Sequence, residues 1–134
     1  MNRFGKTLIG MASASATLIF AATPSAAGDA AGEITIAAQH ADLAAGASDI
    51  TGVRMHLHHA LNCIEGPNGA DFSKTDMNPC ASAGAGAIPD SGNPTTTAAL
   101  QTAVVEAVGG LSATTLATAQ SAASKTAATL KSIK

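Results

Sequence analysis

The sequence predicts an all-α fold, a small helical bundle or hairpin in which one long N-terminal helix packs against two C-terminal helices and a disulfide-closed irregular loop. Three observations predict it. Large aliphatic residues recur at seven-residue intervals over Ile36, Leu43, Ile50, Leu57 and Ile64, with Ala47, Val53, Ala60 and Leu61 filling the same stripe. Glycine and proline collect between residues 66 and 92, which reads as one irregular connection. Beyond it, two Ala- and Thr-rich stretches each carry an apolar stripe behind a capping residue.

The chain opens like a secretory signal. Arg3 and Lys6 form a short basic region, residues 7–22 are apolar or small, and Pro24-Ser25-Ala26-Ala27 presents small residues where a signal peptidase cleaves. Residues 1–27 are therefore expected to be a signal peptide, and residues 28–134 a single helical domain in the periplasm or outside the cell. The apolar run is short of the roughly 20 residues a bilayer span requires, and no second run follows, so no membrane span is expected after cleavage.

Removing residues 1–27 from the 134 leaves 107, in which five basic residues (Arg54, Lys74, Lys125, Lys131 and Lys134) face nine acidic ones, a formal charge of −4. Phe72 is then the last aromatic ring other than histidine. Net acidity argues against nucleic acid and against a polybasic membrane contact, and the lack of Tyr and Trp removes the usual stacking platforms for bases. The charge is split. Residues 28–93 hold eight of the acids, whereas residues 94–134 hold Glu106 and three lysines, a pattern that suits cation attraction or pairing with a second chain, including a homodimer.

Residues 33–64 contain no proline and read as one long helix, although Gly46 and Gly52 each cost about 1 kcal/mol relative to Ala. A break near Gly46-Ala47-Ser48-Asp49, with Ser48 or Asp49 capping a new helix, is the alternative. Residues 65–92, with Pro67, Pro79, Pro89 and a run of Ala, Ser and Gly, read as loop. Asn93-Pro94 opens a helix over 94–109 with the stripe Leu100, Val104, Val108, Leu111, stopped by Gly109-Gly110. Ser112 opens the last helix, 112–132, with the stripe Leu116, Ala119, Ala123, Ala127, Leu130 and Lys125, Lys131 and Lys134 toward its negative pole.

A small Ala-rich core gains from a covalent staple, and two cysteines in an exported chain supply one. Cys63 paired with Cys80 closes a loop worth about 3 kcal/mol on the chain-entropy model. The same stretch concentrates the chemistry, because His56, His58 and His59 fall within four residues beside Met55. At about 100° per residue, His56, His59 and Cys63 share a face directed away from Leu57, Leu61 and Ile64, and His58 turns elsewhere. Two imidazoles one turn apart are a familiar start of a transition-metal site.

Further donors must come from Met55, from the loop or from a second chain, and the candidate ligand set is His56, His59, Met55, Asp76 and Met77, with Asp71 and Asn78 within the same loop. Thioethers favour copper, and carboxylates favour zinc or nickel. Haem ranks lower, since Cys-x-x-Cys-His is absent and only bis-imidazole ligation is left. In a continuous helix His40 is too far away to share the ion, but a break near Gly46 reverses that conclusion.

Calcium is disfavoured because Asp71, Asp76 and Asn78 do not match an EF-hand loop. Glu106 falls on the expected solvent face, and neither a Gly-x-Ser-x-Gly elbow nor a phosphate loop is present, so no enzymatic activity is expected. Two functions remain: transition-metal binding for buffering or delivery, or a structural or protein-interaction module of the cell envelope that presents the locked loop and Phe72.

Overall fold

The computed structural model describes residues 28–134, and the expected signal peptide, residues 1–27, lies outside the described residues. The described chain is all-helical and has five helices: α1 (Ala30–Gly46), α2 (Ile50–Glu65), α3 (Ala87–Ser91), α4 (Pro94–Ser112) and α5 (Leu116–Ser132). The four long helices form a closed ring of neighbours, α1 packing on α2 and α5, and α4 packing on α5 and α2. This is a small four-helix bundle.

The single long helix expected over 33–64 is two helices. Asp49 is extended and its carboxylate accepts the Gly52 N–H at 2.8 Å, while Ala47 closes α1 by donating its own N–H to the Ala44 carbonyl. A capping carboxylate satisfies a donor that a continuous helix would have given to a backbone carbonyl. The break also resets the helical phase. Ala37, Ala38, Ala41 and Ala44 become the buried face of α1, and Leu43 is turned out with 52% of its surface exposed, whereas Val53, Leu57, Leu61 and Ile64 of α2 are fully buried.

Three other boundaries move. The 65–92 connection contains α3, a five-residue helix that begins after Gly86. Gly109 and Gly110 do not stop α4, which runs to Ser112; Gly110 is buried in the bundle, where a Cβ would stand 2.5 Å from the Leu57 methyl. Ser112 does not cap α5 either. That role belongs to Thr115, whose hydroxyl accepts the Thr118 N–H. Asn93 caps α4 through the Thr95 and Thr96 N–H groups, with Pro94 in the first turn.

The core has two layers. One surrounds the disulfide end and includes Ala37, Ala41, Ala60, Ile64, Leu100 and Leu130; the other includes Ala44, Val53, Leu57, Leu61, Ala107 and Ala123. Cys63 and Cys80 form the expected disulfide, with their Cα atoms 5.1 Å apart, and both are buried in the first layer. The loop crosses the end of α2 where Gly66 and Gly86, both with positive φ, leave room for each other's backbone. No helix among the described residues is long and apolar enough to cross a membrane.

Candidate metal centre

The break at residues 47–49 folds α1 and α2 into a hairpin, which returns His40 to the level of His56 and His59. Their ligand-type nitrogens, one from each ring, all lie within 4.8 Å of one another. His40 Nδ1 and His56 Nδ1 stand 3.3 Å apart. That is a hydrogen bond between the rings in which one nitrogen donates and the other accepts, and its length equals the separation of about 3.3 Å that two nitrogens bound at about 2.0–2.1 Å to one tetrahedral ion would have. The rings meet edge to face at His40–His59 and His56–His59, with centroids 5.0 and 5.7 Å apart.

The surroundings of His40 and His59 favour the neutral ring. His59 retains 7% of its exposure, while His40 and His56 are half-buried. Burial pushes the His40 proton affinity below its ordinary value, and His59 and His56 push it further. His59 is lowered in the same way, first by burial and then by His56, with Asp76 acting in the opposite direction. An imidazole that is unprotonated keeps its lone pair for a metal. The Nδ1 atom of His59 is buried with no hydrogen-bond partner among the described residues.

The expected site residues divide. His56 and His59 belong to the three-histidine group, and His40, set aside for a continuous helix, completes it. Met55 and Met77 have 42% and 60% of their surface exposed. Asp76 is half-buried and lies near enough to act on the charge of His59, but its Oδ2 accepts the Ser73 hydroxyl at 2.5 Å and it is not in the group. His58 is half-buried with a buried, unpartnered Nδ1. Glu106, expected on the solvent face, is half-buried and its Oε2 is shielded from solvent without a partner.

Asn62 has a role that the sequence does not announce. It is fully buried one turn after His59, and its amide donates to the carbonyls of Ser73 and Met77, both at 3.1 Å, while its oxygen accepts the Ser73 N–H at 2.8 Å. The disulfide one residue later ties the same loop to α2. Residues 73–77 are thereby held alongside the helix that carries His56 and His59. Earlier in the loop, Glu65 accepts the Asp71 N–H, and burial raises the Glu65 carboxyl above its ordinary value.

A three-histidine group positioned to bind a metal ion, on a disulfide-stapled helical bundle, is therefore the chemical centre of this chain, which matches no family model, no curated protein and no solved structure.

Proposed function

We propose that this protein is exported, to the periplasm or beyond, and binds one transition metal ion, copper, zinc or nickel, through His40, His56 and His59, for buffering or delivery without turnover. The observation that carries the reading is the convergence of three ring nitrogens within 4.8 Å, contributed by two separate helices. Imidazole donors suit all three ions. Three protein ligands leave a further position for water or for a group on a receiving partner, which fits an ion that must later leave.

Export is supported by the basic and apolar N-terminal pattern ending at Ala27, and by a buried Cys63–Cys80 disulfide of the kind oxidising compartments maintain. The test is calorimetric titration of residues 28–134, disulfide intact, with Cu(II), Zn(II) and Ni(II), repeated for His40→Ala, His56→Ala and His59→Ala. Binding tighter than about 10 μM for at least one ion, weakened by each substitution, is expected. Failure of all three ions to bind at that level overturns the reading.

A further inference from the structure

We propose that Asp90 receives the α-ammonium group created at Gly28 when the leader is cut off after Ala27, so that cleavage locks residues 83–90 onto the start of α1. The pairing rests on the export reading, which supplies the cut, and gives that cut a consequence for the fold.

The cut is hydrolysis of the Ala27–Gly28 peptide bond by a signal peptidase. Water leaves Ala27 as a carboxylate, and the Gly28 nitrogen takes up protons to become an ammonium at neutral pH. Before the cut this nitrogen is a neutral amide with one donor; afterwards it is a cation with three. Its position is closely defined. A Cβ on Gly28 would collide with the Asp90 carboxylate, and a Cβ on Gly84 would collide with the same carboxylate and stand 2.9 Å from the Gly28 Cα. Asp90 Oδ2 therefore occupies the gap between two glycines. Once nothing precedes Gly28, rotation about its Cα–C bond carries the amino nitrogen toward the place that Cβ would take, and it meets Asp90 Oδ2 at hydrogen-bonding distance on the way. The next residue is already fastened to this loop, because the Asp29 N–H donates to the Ala83 carbonyl at 2.9 Å.

The charges around this corner are all of one sign. Asp90 Oδ2 accepts the Ala85 N–H at 2.7 Å and Glu33 Oε1 accepts the Gly86 N–H at 3.0 Å, so two carboxyl groups are held by consecutive amides. Asp29 adds a third at the N-cap of α1. From α2 comes Glu65, whose side chain turns to the Asp71 N–H, and α4 brings no charged residue before Glu106. Among the described residues no Lys or Arg forms a salt bridge with Asp29, Glu33 or Asp90, and Glu33 Oε2 is fully buried without a partner. A cation is what the corner lacks. Asp90 is half-buried, where an ion pair is screened less by salt than on open surface.

The experiment compares two forms of the disulfide-bonded protein: residues 28–134 with a free Gly28 amino group, and residues 24–134, which keep Pro24 to Ala27 ahead of it. At pH 7 the free form is expected to unfold at a temperature at least about 2 °C higher. Asp90→Asn is expected to remove the difference, as a direct pair requires of a double-mutant cycle. An amine that gains a partner on folding holds its proton more tightly when folded, so its contribution is complete below about pH 8 and is lost as pH rises further; the difference should be gone by about pH 10. Equal unfolding temperatures at pH 7, or a difference that survives either Asp90→Asn or pH 10, would overturn the inference. If Asp90→Asn does not fold, the pH series decides alone. N-terminal sequencing of the full chain after secretion from a bacterial host tests the cut separately: a product that keeps residues 1–27, or begins at another residue than Gly28, would instead overturn the cleavage reading on which the inference rests.

Discussion

Replacing Glu33 by Gln should stabilise the protein at neutral and alkaline pH and have little effect in acid. Glu33 has no solvent exposure, its Oε1 accepts the Gly86 N–H at 3.0 Å, and its Oε2 has no hydrogen-bond partner. Burial raises its pKa to about 7 from the ordinary 4.5; the Gly86 N–H lowers it, and Asp90 and Asp29 add to the rise. The folded protein therefore holds this proton more tightly than the unfolded chain. Stability from this group is complete below about pH 4.5, falls between about 4.5 and 7 as the unfolded chain ionises while the folded one does not, and is flat above that. The loss across the window is at most about 3 kcal/mol. Gln keeps an acceptor for Gly86 and presents an uncharged donor toward Asp90. Urea unfolding of both proteins from pH 4 to 8.5 should give a difference near zero at the acid end and up to about 3 kcal/mol in favour of Glu33→Gln at pH 8. A difference that does not vary with pH would refute the reasoning.

Other expectations follow from the same geometry. Asp49→Ala removes the cap that starts α2 and should cost about 1 kcal/mol in urea unfolding, with a parallel loss of metal affinity because the cap sets the hairpin that brings His40 to His56. Reduction of Cys63–Cys80 should lower stability by about 3 kcal/mol and increase hydrogen exchange through residues 66–80 before it reaches α4 and α5. Because His40 and His59 are shifted below the ordinary histidine range, protons should compete with metal only at lower pH than for unperturbed imidazoles, so Zn(II) affinity measured between pH 7.5 and 6.5 should fall less than for an exposed histidine pair.

The fold class and the staple were legible because each rests on a strong local signal: aliphatic spacing for the helices, and paired cysteines in a chain with a signal-like start. The partner of His56 and His59 was not. Gly46 and Gly52 weaken a helix without ending it, and the break is decided by one carboxylate, Asp49, that can either face solvent on a continuous helix or cap a new one by accepting the Gly52 N–H. The seven-residue spacing through Leu43 and Ile50 favoured continuity, yet Leu43 is turned outward once the phase resets. Asn62 was illegible for a different reason. A buried asparagine on a helix is defined by the loop it holds, and the pairing of its amide with Ser73 and Met77 spans 11 and 15 residues of chain that carry no periodic pattern. Gly110 illustrates the remaining ambiguity, since the residue that reads as a helix stop serves as the close approach to Leu57.

If three histidines from two helices hold one metal ion, His40 is the residue that distinguishes this site from one built on the His56–His59 pair alone. Zn(II) and Cu(II) titrations of the intact protein and of His40→Ala measure this directly. One ion per chain is expected, with affinity in the intact protein at least about tenfold tighter than in His40→Ala. Equal affinities in the two proteins would contradict it.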